Sequence, residues 1–513
     1  MALNPVERRL VDLRQHWEAF RADQSKRLLV WEVPDSATRM LQCFFEAQKH
    51  ESEYATGDLF VVFDAPFANS IQYARALKQA LAGQYEASRE ALDAQGITAD
   101  WQFDPQDYPD SASGFLGGLR SFGSGHHAHI GHLVAVLMPE SVADDRAWAS
   151  WLSRALDAGP PERLRLAVID SIEAPRLAGL SAKARELTYV DAPKIDALAT
   201  AQETFAQEAV PGPVGVFRNY LIGLVTLVEK GSADQVKAKA ADAVVFARKQ
   251  KWADQEVAVS MLFAGALLKE KRFDESAEVY RHARQLALQA AAVGHPVGRQ
   301  LVLQTWFGEA GVHLAAGAVP EAAKCYDQAA AIAQQIPNLV LAIEALRMGA
   351  FCHARVRESE LATERGFQAL SVGERLKPDA RAITTLPLAA MDLLRVIDPE
   401  RVGLMEGIKQ RLDARVEASG AAAEARAADL ENSGDAEQFR AVEKDLAREI
   451  EHGAREAAQE LDAVAAGGNE QFVDIFSYAR ELIGPQWPLG TALALPAAPR
   501  AGASACIDGV AAS

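Results

Sequence analysis

The densest group of chemically able side chains in this sequence is a run of imidazoles. His126, His127, His129 and His132 are four of the chain's eleven histidines. Neutral imidazole is a good ligand for Zn²⁺ or Cu²⁺. Histidine also titrates near neutral pH, so the same run could act as a proton-linked switch. Nothing selects either role. There is no His-Glu-x-x-His, no neighbouring cysteine, and the stretch from Asp104 to Gly131 is rich in Gly, Ser and His, which reads as an exposed flexible linker. Gly123-Ser124-Gly125 lacks the strand–turn–helix context that exposes a serine nucleophile. Paired carboxylates are common along the helices, as on any solvated acidic face. The four cysteines, Cys43, Cys325, Cys352 and Cys506, show no metal-ligand spacing, and the first three lie in apolar helical patterns. The expectation is therefore no catalytic residue, no metal and no cofactor.

Composition narrows the class. With 513 residues the chain should form two to four domains, and 49% hydrophobic content supports real cores. A formal net charge of −17 would repel a phosphate backbone, so nucleic-acid binding is not expected. No apolar run reaches the length of a membrane span. The first residues turn charged at once and carry no signal-peptide core. A reducing, cytoplasmic setting fits the scattered cysteines.

The elements that would position any site change character along the chain. Val6, Leu10, Leu13 and Trp17 share one side of an opening helix over residues 5–23. Short apolar runs follow at 27–33, 59–63, 133–137 and 164–169, with a further one at 187–190. They alternate with helical patterns at 36–49 (Ser36 as its N-cap, Met40, Leu41, Phe44 and Phe45 as its stripe), 69–94 and 144–158. Strands alternating with helices predict a largely parallel sheet covered on both faces.

This order resembles the nucleotide-binding core that precedes helical repeats in the signalling ATPases with numerous domains. The resemblance implies a phosphate loop after the first strand, with glycines exposing N–H groups, a lysine for the phosphates and Ser or Thr on Mg²⁺. The chain has instead Glu32-Val33-Pro34-Asp35-Ser36-Ala37-Thr38-Arg39. It has neither glycine nor lysine, and two carboxylates stand where phosphate would sit. Asp64 and Asp170 end apolar strands as a Mg²⁺-orienting aspartate would, and as ordinary turn residues also do. A degenerate domain that serves as a scaffold is expected, with retained binding of a nucleotide or another small ligand as the alternative.

From about Gly212 to Leu376 the period lengthens. Val236, Ser276, Ala322 and Ala362 recur at 40, 46 and 40 residues, each followed by small or aromatic residues at i+4 and i+7. Each set is preceded by a second apolar helix, at 220–228, 257–268, 306–314 and 342–354. Self-similarity at this period marks a stacked helical solenoid, whose hairpins bury their apolar faces on their neighbours. Ala264, Ala283, Ala310, Ala329, Ala350 and Ala369 would let helix axes approach, and Gly231 and Gly317 would cap helices in the left-handed conformation. The pattern resembles the tetratricopeptide family, best over residues 315–329, although the period exceeds that family's usual repeat. The plainer alternative is a generic α-helical bundle.

The resemblance implies that the first helix of each pair lines a concave face. Leu221, Met261, Leu268, Phe307, Leu314, Arg347 and Phe351 are the candidate partner-binding residues, with Val225, Gly265 and Gly311 beside them. That lining is mostly apolar and suits an apolar helix or peptide. The same residues would also suit packing by this protein's own chain, including its C-terminal helices. Beyond the array, helices are expected at 379–398, interrupted near Pro387, and at 404–416. A mobile connection or solvated helix is expected at 419–434. Phe439, Val442, Leu446, Ile450, Ala457, Leu461 and Val464 then define one long amphipathic helix able to form a coiled-coil seam or cap the solenoid.

The reading is an α/β domain with a mostly parallel sheet over residues 1–192, then an all-α tetratricopeptide-like solenoid over 193–398. C-terminal amphipathic helices follow over 399–484 and a disordered tail over 485–513. The function expected is that of a non-enzymatic, cytoplasmic adaptor or chaperone, in a setting such as protein secretion or assembly. The alternative is a regulatory ATPase-like protein.

Overall fold

The computed structural model describes residues 3–50, 52–94, 96–196, 199–200, 203–204 and 211–491. The chain divides into two compact units. The first comprises Met1–Gln207, Asp413–Gly453 and Ala494–Ser513, the second Glu208–Leu412 and Ala454–Leu493. No helix among the described residues is long and apolar enough to cross a membrane.

The first unit is built on five parallel strands. These are β1 (Leu28–Val33), β2 (Leu59–Phe63), β3 (Leu133–Leu137), β4 (Leu164–Ser171) and β5 (Thr188–Asp191), in the order β2-β3-β4-β1-β5. Successive side chains point to opposite faces, and both faces are covered. Leu29, Trp31, Val33, Phe60, Val134, Val136 and Ala167 pack under α1 (Pro5–Ala22) and α2 (Thr38–Ala47). Leu28, Val30, Phe63, Leu133, Ala135, Leu137, Leu166 and Val168 pack under α3 (Ser70–Ala94), α4 (Ala112–Gly125), α5 (Asp145–Asp157) and α6 (Ala182–Glu186). The continuous apolar runs seen in the sequence are thus strands buried on two sides.

Three local expectations are corrected. Residues 104–131 are not a flexible linker. They contain α4, whose five glycines weaken its intrinsic preference for helix. Burial of Phe115, Leu116, Leu119 and Phe122 overrides that weakness. The approach to α4 is tied down by Lys78, buried, which donates to the carbonyls of Pro105 and Tyr108 and pairs with Asp110 at 2.9 Å. Ser36 does not cap α2, because Asp35–Ala37 forms a 3₁₀ turn and Ala37 precedes the helix without a side-chain cap. Cys43 faces solvent, off the apolar stripe of α2.

The second unit holds four helical hairpins. They are α7 (Pro213–Lys230) with α8 (Ala233–Gln250), α9 (Ala253–Lys269) with α10 (Phe273–Ala292), α11 (Gly298–Ala315) with α12 (Val319–Ala333), and α13 (Leu339–Arg355) with α14 (Ser359–Glu374). This is a tetratricopeptide-like array. Each helix packs on the next along the chain, and the first helices of neighbouring units also touch, α7 with α9 and α9 with α11. The six alanines expected at the crossings are all buried. The turns inside the units fall at Gly231, Lys271, Gly317 and Arg357. The last three are left-handed, with φ of 60°, 76° and 65°. Gly231 departs from the expectation, since its φ of −104° is extended.

After the array come α15 (Pro378–Arg381) and α16 (Leu386–Ile397), so helix is interrupted just before Pro387, which stands in the first turn of α16. The long helices α17 (Pro399–Leu430) and α18 (Ala436–Ala466) follow, then α19 (Glu470–Ile483). In the second unit α19 packs on α14, α15 and α16. Trp487 and Leu489 are buried behind it, so residues 485–491 do not begin a disordered tail. Leu493, Leu495 and Cys506 lie outside the described residues.

Of the two alternatives for residues 419–434, a mobile connection or a solvated helix, the helix is found, as far as Leu430. In the first unit Ala423, Ala427, Phe439, Val442 and Leu446 close over Ile71 at the start of α3. Glu424 accepts the Ser70 N–H and hydroxyl, and Glu431 accepts the Ser113 N–H. Both carboxylates meet the positive end of a helix, α3 and α4 respectively, where free N–H groups favour an anion. Arg154 pairs with Glu431 at 3.0 Å, and Arg75 binds Glu443 through both of its terminal nitrogens.

Candidate partner-binding face

The seven candidate residues fall on the first helices of the four units. The repeat makes them equivalent. Leu221, Met261, Phe307 and Arg347 occupy one position of α7, α9, α11 and α13, and Val225, Gly265, Gly311 and Phe351 the position four residues on. Leu268 and Leu314 share a third, one turn further. Offsets of four and seven residues put the three positions on one helix face.

All seven candidates are half-buried, and Val225 is exposed. The apolar ones are anchored from beneath by clusters of the array. Met261 and Leu268 rest on a cluster containing Ala264, Ala277 and Tyr280. Phe307, Leu314 and Phe351 rest on one containing Ala310, Ala322, Tyr326 and Cys352. Phe307 meets the ring of Tyr326 edge-on at 5.9 Å. Arg347 is held by Glu344 at 2.9 Å and lies 3.7 Å from Asp392, so its charge is already answered within the chain.

The glycines of these helices separate into two kinds. On α11, a Cβ at Gly308 would stand 2.2 Å from the Tyr280 ring, so that glycine exists to let two helices pack. A Cβ at Gly311, or at the equivalent Gly265, would meet nothing within 4 Å. Glycine inside a helix costs about 1 kcal/mol relative to alanine. Contacts within the chain do not account for glycine at these two places.

The sites of possible chemistry in the first unit are taken up structurally. His132 places Nδ1 2.9 Å from the buried Asp58, which also accepts from Trp17 Nε1. Burial alone would push the Asp58 carboxyl up, but hydrogen bonds from His132 and Trp17 hold it below its ordinary range. His126 is buried and stacks on Phe122, while His127 and His129 are exposed. Among the described residues the four histidines do not converge into a ligand set. After β1, the Asp35 N–H donates to the carboxylate of Glu173, at the place where a phosphate loop would offer free donors. Asp170 is buried and accepts the Arg176 N–H as a turn residue, and Asp64 is exposed. A depression of about 800 Å³ lies beside Leu133 and Leu164, where β3 and β4 begin. Ligands of open α/β sheets bind at the opposite, carboxyl ends of the strands.

No protein-family model matches the chain, and no curated protein matches it. Among solved structures it is similar to a Rap protein complexed with competence and sporulation factor, at 10% identity and a TM-score of 0.26, over 86% of this chain and 99% of that one. It is similar to the apo form of RapI at 9% identity and a TM-score of 0.26, with the same coverage. It is also similar to a signal transduction ATPase with numerous domains that carries a tetratricopeptide-repeat sensor, from Pyrococcus horikoshii. That match has 7% identity and a TM-score of 0.20, over 91% of this chain and 97% of the other. Superpositions this loose carry no argument about function.

Proposed function

We propose that this protein is a non-enzymatic adaptor or chaperone that holds an apolar segment of a partner protein, an amphipathic helix or apolar peptide, against the first helices of its repeats. The observation that carries the reading is the glycine pair. Gly265 and Gly311 stand at equivalent positions, cost helix stability, and face open space. They lie between Met261 and Leu268 on one helix and between Phe307 and Leu314 on the next. A floor without side chains, flanked by apolar walls, admits the close approach of another backbone.

The packing of the array supports the same face. The first helices touch from unit to unit, as α7–α9 and α9–α11 do. Contact along that side is what a stack with its first helices inward would make. Burying four or five half-exposed apolar side chains would supply affinity at about 25 cal/mol per Å² of apolar surface, less the cost of ordering the partner. Protein secretion or assembly is a natural setting for such a holder, in the cytoplasm. A nucleotide-binding role for the first unit has less to stand on, because Glu173 already takes the amide that a phosphate would need.

The test is capture of native partners by the full-length protein, followed by competition with the apolar segment identified in them. Phe307→Glu combined with Phe351→Glu should abolish capture while the far-ultraviolet circular dichroism and the melting temperature stay near those of the parent. Undiminished capture by a folded double variant would remove this face from consideration.

A further inference from the structure

We propose that Glu309, His313 and Cys325 form a binding site for a borderline-soft divalent ion of the zinc type, which would staple α11 to α12 in the third repeat unit. The ligand atoms of these three residues all lie within 4.8 Å of one another. Glu309 and His313 are four residues apart, hence on one face of α11. Cys325 reaches them from α12 and is only 6% exposed. The inference does not depend on what the repeat face holds.

The spacing is what points to an ion. His313 Nε2 stands 3.6 Å from Glu309 Oε1. That is too long for a hydrogen bond. Two ligands each about 2.0–2.1 Å from a tetrahedral ion stand roughly 3.3–3.4 Å apart. The carboxylate and imidazole thus sit near the separation of two ligands on one ion, and the thiol lies within 4.8 Å of both. Carboxylate, imidazole and thiolate together suit Zn²⁺ rather than Mg²⁺ or Ca²⁺.

Two guanidinium groups also face this carboxylate, and they differ. Arg284 bonds Oε2 at 2.5 Å and lies over the Trp306 ring, 3.4 Å from its centre. It can stay in place as an outer partner that orients the carboxylate. Arg281 contacts Oε1 at 3.3 Å, and its side chain is 55% exposed. It is the group an incoming ion would displace into solvent. His313 is 21% exposed and gives the path of entry.

Burial, and then the charge of Glu309, push the Cys325 thiol up to about 12. Without metal the group is an inert S–H. The binding step balances simply. A hydrated divalent ion loses waters to Glu309, His313 and Cys325, the S–H proton leaves to solvent, and one coordination position keeps a water.

The experiment uses chelator-stripped full-length protein titrated with Co²⁺ alone, then displaced by Zn²⁺. One equivalent of Co²⁺ should bind and show a thiolate-to-metal charge-transfer band. Cys325→Ser, nearly the same size, should lose the band. His313→Ala, at a partly exposed position, should weaken binding at least about tenfold, and Arg281→Ala should strengthen it. Absence of the band in the parent overturns the site, and so does a band that survives in Cys325→Ser. Unchanged affinity in a folded His313→Ala variant also overturns it. Binding confined to the His126–His132 run would show no thiolate band and counts against the proposal.

Discussion

The two units of this protein spend their large apolar side chains differently. In the α/β unit Trp17, Trp31 and Trp151, with Phe20, Phe44, Phe63 and Phe115, are essentially inaccessible to water. In the repeat unit the fully buried positions belong mainly to alanine, while Trp252, Phe263, Trp306, Phe307 and Phe351 are only half-buried. A parallel sheet covered on both faces leaves room between its layers for rings. Stacked hairpins bring helix axes too close for that, so alanine takes the crossings and larger groups are pushed to the rim. The lesson is that the sheet unit has used its apolar surface up in folding, whereas the repeat unit keeps some in reserve.

The largest expected effect breaks this comparison if it fails. Trp151→Ala should cost the α/β unit about 3–5 kcal/mol, the usual loss for emptying a large buried site. Phe307→Ala, half-buried on the repeat face, should cost clearly less in urea unfolding and yet reduce partner capture more. Equal stability losses would mean that the two units do not differ as described.

A smaller effect sharpens the contrast within one helix. Gly308→Ala must displace the Tyr280 ring and should destabilise the array by about 1–3 kcal/mol. Gly311→Ala, three residues on, meets open space and should stabilise it by up to about 1 kcal/mol. Calorimetry of the two variants should show shifts of opposite sign.

The smallest effect is confined to acid and to the first unit. The Asp58 carboxyl is held below its ordinary range, so the stability it contributes is fully present above about pH 4. That contribution falls away as pH drops from there through the folded value. Asp58→Asn should reduce stability at neutral pH and flatten the loss below pH 4. The melting temperature followed from pH 7 to pH 2 reads both, and an unchanged acid slope would rule the group out as a determinant.

Much of this was legible in the chain. The apolar runs at 27–33, 59–63, 133–137 and 164–169 have the length and apolar character of strands in a buried setting. The recurrence of small residues at 40, 46 and 40 residues marks the hairpins because only small side chains fit where helices cross. Period and alternation are local properties, and they determined the two architectures, the missing phosphate loop and the face on which the candidate residues lie. Tertiary structure decided what local preference opposed or could not encode. Helix α4 forms despite five glycines because its phenylalanines are buried, and Ser36 loses its cap to a 3₁₀ turn. Glu424 and Glu431 find the ends of α3 and α4 from more than three hundred residues away in sequence. Glu309, His313 and Cys325 meet only because α11 and α12 pack side by side. Which glycine is crowded and which faces open space depends on a neighbouring helix, and no spacing along the chain records that.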